Sequence, residues 1–220
     1  MILRTSIPER FFARPGRALS IGVALLGLVG LIAVVVPAEP LAIDRQWSRT
    51  MEHIQTPLLT HIALVFNALG RGLGWALSLA AVGIALALRR RWLALAALSV
   101  AEALTSLSST MLKALVGRPR PPDGLVQPLG SSFPSGHAAY AGATCVALVL
   151  LFTLPGRRQR WWTAAALGVL GMAWSRTYLQ VHWLSDVVGG SLLGIGISLT
   201  VFAGAQWLTA GWRSDTGHWT

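Results

Sequence analysis

Charged residues are scarce in this chain of 220 residues. They make up 12% of the sequence, and hydrophobic residues make up 54%. An average soluble domain carries about 25% charged residues. The deficit excludes an ordinary soluble domain and places the chain among membrane proteins.

Cysteine and lysine are almost absent. Cys145 is the single cysteine and stands in an apolar run. One thiol closes no internal disulfide and builds no cysteine metal site, so both are excluded. Lys113 is the single lysine, and the other 17 basic residues are arginines.

The net charge of +10 comes from basic residues in short clusters between apolar runs. This distribution is typical of membrane proteins, whose cytoplasmic loops are rich in arginine and lysine. It argues against nucleic acid as a partner and for the membrane itself.

Six apolar runs predict an all-α, polytopic membrane protein, a bundle of six transmembrane helices in one domain over residues 1–220. A spanning helix needs about 20 mostly apolar residues. The first run has 19, more than the roughly 7–15 of a signal peptide core. Residues 38–71 are expected to form one or two helices at the interface. The predicted spans are 18–36, 72–88, 92–115, 138–154, 161–174 and 183–208.

The basic residues also predict an orientation. If successive predicted spans cross the membrane in opposite directions, eleven of the 18 basic residues fall on one membrane face and seven on the other. The richer face is predicted to be cytoplasmic and to hold both termini. This layout favours the plasma membrane, the inner membrane of a bacterium.

Three polar motifs then fall on the opposite, non-cytoplasmic face. The first runs from Lys113 to Arg120-Pro121, at the end of the third span. The second is the stretch 134–137, Pro-Ser-Gly-His, at the start of the fourth. The third runs from Ser175-Arg176 through His182 to Asp186, between the last two spans.

The chemistry of these motifs suits a phosphoryl group. Lys113, Arg120 and Arg176 offer a point charge and two planar forks of donors for phosphate oxygens. Ser135 and Gly136 open a helix whose free amides and dipole favour an anion. Ser135 is expected to cap that helix, and Gly136 to let the backbone approach phosphate closely. With cations to neutralise the charge, no metal is required.

Two histidines have different neighbours, which suggests different roles. His182 and Asp186 are four residues apart and share a face if the last helix has begun. Asp186 then accepts from one ring nitrogen, and the other is free to attack. His137 has no carboxylate at such a spacing and suits protonation of the leaving oxygen.

At these residues the chain resembles the type 2 phosphatidic acid phosphatase superfamily, which also contains vanadium haloperoxidases and acid phosphatases. The family signature has three parts: Lys, six residues, Arg-Pro; Pro-Ser-Gly-His; and Ser-Arg, five residues, His, three residues, Asp. All three match without a gap or substitution.

The resemblance implies a helical core and a two-step, metal-free reaction in which His182 becomes a phosphohistidine and His137 acts as the acid. It also implies that Asp186 orients His182. The residues it implies for holding the phosphoryl oxygens are Lys113, Arg120, Ser135, Gly136, His137 and Arg176.

The expected activity is hydrolysis of a lipid phosphate monoester or diphosphate at the periplasmic or extracellular face, without a cofactor. Candidate substrates are phosphatidic acid, phosphatidylglycerol phosphate, undecaprenyl pyrophosphate and phosphorylated lipid A. Two alternatives stay open: transfer of the phosphoryl group to a lipid acceptor, and a non-catalytic anion-binding membrane protein. The oligomeric state has no signal in the sequence.

Several residues outside the motifs have open interpretations. Glu102, inside the third span, is interpreted as a carboxylate hydrogen-bonded by nearby hydroxyls or a neighbouring helix, in preference to a substrate contact. Arg118 and Asp123 are expected to contact a headgroup or each other. Trp183 is expected to join a belt of tryptophans at the membrane interface.

Overall fold

The computed structural model describes residues 10–36, 39–70, 72–153 and 158–216, with side chains through residue 210. Over these residues the chain forms eight α-helices and no strand, which confirms the all-α prediction. The helices are α1 (Pro15–Val35), α2 (Ala42–His53), α3 (Pro57–Leu69), α4 (Gly72–Leu88), α5 (Trp92–Val116), α6 (Gly136–Phe152), α7 (Arg158–Tyr178) and α8 (Leu184–Thr216).

Each of the six predicted spans coincides with a helix, but their lengths and compositions differ. Within the described residues, α1, α5 and α8 are each long and apolar enough to cross a membrane. Helices α3 and α4 meet the same requirement only as a pair, across a bend of 55°. Helix α6 is apolar but has 17 residues. Three helices, or four with the bent pair, therefore meet the requirement for spanning.

The segment before α4 forms two helices, α2 and α3. Both pack against α7, and α2 also reaches the start of α8. The segment thus covers the end of the bundle where α7 passes into α8, and this position brings two of its side chains into the site.

Helix α8 is the centre of the bundle and packs against α1, α5, α6 and α7. Its contact with α6 is close because Gly194 has no side chain. A Cβ atom there would lie 1.9 Å from the Ala139 carbonyl oxygen and 2.7 Å from the Ala143 nitrogen. Small residues allow this backbone approach between membrane helices.

Gly194→Ala is therefore expected to force α6 and α8 apart and to destabilise the protein by about 1–3 kcal/mol. Thermal unfolding in detergent measures the effect. Gly30→Ala is the matched control, because a Cβ at Gly30 meets no atom within 4 Å. Equal stabilities of the two variants would contradict this account of the contact.

The outer surfaces of the helices carry large apolar side chains. Val34 is 85% exposed, and Leu88 and Leu115 are each 80% exposed. Such a surface is unfavourable in water but suits contact with lipid tails, which are as apolar as leucine. The three polar motifs lie at one end of the bundle.

Candidate active site

The three motifs meet around one chamber of about 150 Å³, between the end of α5, the start of α6 and the α7–α8 connection. Two predicted residues, Ser135 and Asp186, are not among the lining residues, and both are fully buried. Six of the eight predicted site residues line the chamber: Lys113, Arg120, Gly136, His137, Arg176 and His182.

Two of the cations are held by one loop. Lys113 Nζ donates to the Ser131 carbonyl oxygen at 2.8 Å, and Arg120 Nη2 donates to the same oxygen at 3.1 Å. Arg120 Nε also donates to the Gly130 carbonyl at 2.9 Å. The shared acceptor brings the two positive charges together at the chamber wall.

Arg176, in the last turn of α7, is 1% exposed and is held from α3. Its Nη1 donates to Asn67 Oδ1 at 2.5 Å. The carbonyl oxygen of the same Asn67 lies 3.3 Å from His137 Nε2. Asn67 therefore contacts both a predicted phosphate-binding residue and the predicted acid, although no motif includes it.

A glycine makes this approach of α3 possible. A Cβ at Gly70 would lie 2.7 Å from His137 Cδ2 and 2.6 Å from Met172 Cε. A glycine after an apolar helical run was the one sequence signal near Asn67, and it indicates a helix end without saying what that end contacts.

The geometry around His182 assigns its tautomer. Its Nε2 lies 3.1 Å from Arg120 Nη1. A guanidinium group only donates, so this nitrogen is the unprotonated acceptor. The ring proton is then on Nδ1, which lies 3.6 Å from Asp186 Oδ2. That separation is an ion-pair distance, longer than a hydrogen bond.

The surroundings of His182 also keep its ring neutral. Burial, followed by the positive charges of Arg120, Arg176 and Lys113, holds the pKa of the His182 imidazole well below its usual value of 6.5. A neutral imidazole with an unprotonated ring nitrogen is the form that attacks phosphorus.

Asp186 is placed by the start of α8. The helix begins at Leu184, after His182, so the two residues do not share a helix face as the spacing suggested. Asp186 instead occupies the third helical position and accepts from the Trp183 backbone N–H at 2.8 Å. This reach back to the residue before the helix is half of a capping box, and it turns the carboxylate towards His182.

Arg118 is fully buried and joins two carboxylates, which overturns both expectations for it. Its Nη1 donates to Asp186 Oδ1 and its Nη2 donates to Asp44 Oδ2, each at 2.7 Å. It contacts neither Asp123 nor the surface. Because Asp44 lies 74 residues earlier in the chain, no local sequence pattern indicates this pairing.

Asp44 connects α2 to the first turn of α8. It is the third residue of α2, and its Oδ2 accepts from the Leu41 N–H at 3.1 Å. Its Oδ1 accepts from the Ser185 N–H at 2.9 Å. The first turns of α2 and α8 are thereby joined by Asp44, Arg118 and Asp186, behind the His182 ring.

Two further expectations were wrong in detail. Ser135 is the N-cap residue of α6, but its side chain makes no capping hydrogen bond, and its buried Oγ has no hydrogen-bond partner in the described structure. Trp183 is 8% exposed and donates from Nε1 to the Pro119 carbonyl at 3.0 Å. It supports the site and does not form part of an interface belt.

Glu102 does not line the chamber. Its Oε1 accepts from Thr144 Oγ1, on the neighbouring helix α6, at 2.8 Å. The carboxyl is thus hydrogen-bonded by an adjacent helix, as preferred from the sequence.

Across the described ranges, no cluster of three or more His, Cys, Asp or Glu side chains is arranged to hold a metal ion.

Known proteins resemble this chain in sequence. The undecaprenyl-diphosphatase of Sulfolobus acidocaldarius is 38% identical over 73 residues, which are 33% of this chain and 32% of that protein. The lipid A 4'-phosphatase of Bacteroides thetaiotaomicron is 33% identical over 124 residues, 50% of this chain and 52% of that protein. The chain thus covers about a third to a half of the length of these relatives.

The fold is also known from a solved structure. A transmembrane PAP2 type phosphatidylglycerolphosphate phosphatase from Bacillus subtilis superposes with a TM-score of 0.71. The superposition covers 90% of this chain and 98% of that one at 23% identity, which establishes a shared fold. Residues 92–210, more than half of the chain and all three motifs, match the family model, so the chain belongs to the PAP2 superfamily.

Proposed function

We propose that this protein is an integral membrane lipid phosphatase that releases phosphate from a lipid monoester or diphosphate through a phosphohistidine on His182. The observation that carries the proposal is the position of His182 Nε2, which lies 3.1 Å from Arg120 Nη1, a group that only donates. The chamber that His182 lines also contains three cationic side chains and a second histidine. The names of the relatives support a lipid-linked phosphate as substrate.

In the first step, His182 Nε2 attacks phosphorus and the bond to the leaving oxygen breaks. His137 gives a proton to that oxygen, so the lipid departs as a neutral alcohol or a protonated phosphate. In the second step, His137 takes a proton from water, and the water oxygen attacks phosphorus. The P–N bond breaks and inorganic phosphate leaves.

Charge develops on the phosphoryl oxygens in both steps. Lys113, Arg120 and Arg176 neutralise it, and the amides at the start of α6 add their dipoles. The backbone at Gly136 lines the chamber at that helix start and supplies a further donor. The unpartnered hydroxyl of the neighbouring Ser135 is proposed as another. Asp186, held by Arg118, stabilises the positive charge that His182 gains when it attacks.

The proposed membrane arrangement has six spans, with both termini cytoplasmic and the site on the periplasmic or extracellular face. Six helices coincide with the six apolar runs, and the arginine clusters favour this orientation. The chamber lies where α5 ends and α6 begins, at one end of the bundle.

Phosphate release from a panel of lipid monophosphates and diphosphates, measured in detergent with EDTA, tests the activity. The proposal predicts release by the wild type that survives EDTA. Labelled phosphate found on a lipid acceptor would show transfer in place of hydrolysis. Absence of both products, in a protein shown to be folded, would indicate an anion-binding protein without catalysis.

His137→Ala is expected to slow hydrolysis to an extent that depends on the leaving group of the substrate. Alkyl lipid phosphates need a proton on the leaving oxygen, so their hydrolysis should fall by about 10²–10⁴-fold. An aryl phosphate with an acidic phenol needs no such proton, and its first step should slow much less. Single-turnover rates for both substrates measure the difference, and equal losses would argue against an acid role for His137.

The pH dependence of kcat/KM should report the neutral His182. The attacking imidazole is unprotonated, so activity is lost as the pH falls through its pKa, which lies well below 6.5. Arg120→Gln removes one of the charges that lower this pKa, so the acid limb should move to higher pH. Comparing the variant with the wild type on one substrate cancels the ionisation of the substrate. An unmoved limb would contradict the electrostatic account.

A further inference from the structure

A second cavity, of about 390 Å³, adjoins the catalytic chamber. The two cavities share His137, Arg176 and Pro128 in their walls. The remaining walls of the second cavity are Asn67, Ala68 and Gly72 at the α3–α4 bend, with Val126 and Gln127 from the loop before α6.

The two cavities differ in the catalytic groups that line them. His182 lines only the chamber, and His137 lines both cavities. In phosphoryl transfer the attacking and leaving atoms lie roughly in line on opposite sides of phosphorus. The group attached to the leaving oxygen must therefore lie beside the acid and away from the nucleophile. The second cavity meets both conditions.

Four polar side chains line this cavity. His137 and Arg176 also line the chamber, and the two that belong to this cavity alone, Asn67 and Gln127, are amides. Asn67 Oδ1 accepts a hydrogen bond from Arg176. The NH₂ group of the same amide can therefore donate to a ligand. Gln127 Nε2 donates to the Gly124 carbonyl at 3.4 Å, which leaves its Oε1 as an acceptor. A hydroxyl group both donates and accepts, so it matches this pair. A second phosphate only accepts, and it would meet the Gln127 oxygen without a hydrogen bond.

We propose that the cavity formed by Asn67, Gln127 and His137 is the subsite for a hydroxyl-bearing leaving group, such as a glycerol or sugar headgroup. The inference rests on the proposed phosphatase activity and narrows its substrates to phosphate monoesters of such headgroups, in preference to lipid diphosphates. Asn67 has two roles: it orients Arg176 and contacts the headgroup.

The test compares phosphatidylglycerol phosphate with its 2'-deoxy analogue, which lacks the one free hydroxyl of the headgroup, and with a prenyl diphosphate. The wild type should favour the hydroxylated monoester over the deoxy analogue by about tenfold in kcat/KM, the value of one hydrogen bond. Gln127→Met and Asn67→Leu should reduce this preference towards one. Gln46→Met, which alters an exposed glutamine of α2 outside both cavities, is the matched control and should keep it.

Asn67→Leu should also lower activity on both monoesters, because Arg176 loses its acceptor, whereas Gln127→Met should act mainly on the hydroxylated one. Equal hydrolysis of the two monoesters by the wild type, or a preference for the prenyl diphosphate, would overturn the inference. Either result would leave the phosphatase activity established. No phosphate from any lipid would instead defeat the proposed function itself.

Discussion

Replacing His182 with alanine is expected to reduce phosphate release from lipid substrates by about 10⁴–10⁶-fold, as loss of a catalytic nucleophile does in other enzymes. The variant keeps Lys113, Arg120 and Arg176, so it should still bind the phosphate group. A competitive anion such as vanadate should therefore still protect it against thermal unfolding. Phosphate release and the vanadate-induced shift in Tm, measured on one preparation, separate loss of chemistry from loss of binding.

The matched control is His53→Ala, which alters an exposed histidine at the end of α2. This variant should keep the activity of the wild type. Substantial turnover by His182→Ala, with contamination excluded by a second purification, would mean that another group attacks phosphorus.

Arg118→Met is expected to destabilise the protein by about 3–5 kcal/mol, because it leaves two buried carboxylates without their cation. Asp44 and Asp186 are both fully buried and each lies 2.7 Å from Arg118. Thermal or denaturant unfolding in detergent measures the loss. Arg49→Met, at an exposed position of α2, should change stability by no more than about 0.5 kcal/mol.

A second variant tests the physical cause. If unpaired charge is responsible, adding Asp44→Asn to Arg118→Met removes one of the two uncompensated carboxylates. The double variant should then be more stable than Arg118→Met alone. A double variant whose losses simply add would show that Arg118 acts through packing and not through charge compensation.

Much of the site could be predicted from local sequence, because the three motifs carry their chemistry in short spacings. His182 and Asp186 are four residues apart, and Ser135 to His137 are contiguous. Each motif also adjoins a long apolar run, and such runs predict helices and their order. These local signals are enough to predict that Lys113, Arg120 and Arg176 lie at the same end of the bundle.

The site residues outside the motifs could not be predicted, because their positions depend on contacts between segments distant in the sequence. Asp44 and Asn67 belong to α2 and α3, where no polar spacing distinguishes a buried side chain from an interfacial one. Asp44 becomes buried only because the first turn of α8 packs beside the first turn of α2. Asn67 reaches Arg176 because α3 packs on α7. The role of Arg118 depends on its contact with Asp44, so this role could not be predicted from the sequence either.

The spans illustrate a similar limit. Apolar runs located the helices within a few residues, but a run does not report how a helix pair bends or which short helix crosses the bilayer. The bend between α3 and α4 places Asn67 and Gly72 beside the chamber. That geometry, which places the Asn67 amide in the wall of the second cavity, has no counterpart in hydrophobic periodicity.

The most direct test of the account is to trap the phosphohistidine. His137→Ala should form the intermediate from a labelled aryl phosphate, whose leaving group needs no acid, and should hydrolyse it slowly because the base is missing. The label on the protein is expected to be stable to alkali, labile to acid and located on His182. It should be absent when His182 is also replaced by alanine. Label that persists without His182, or phosphate released with no labelled protein at any time, would contradict it.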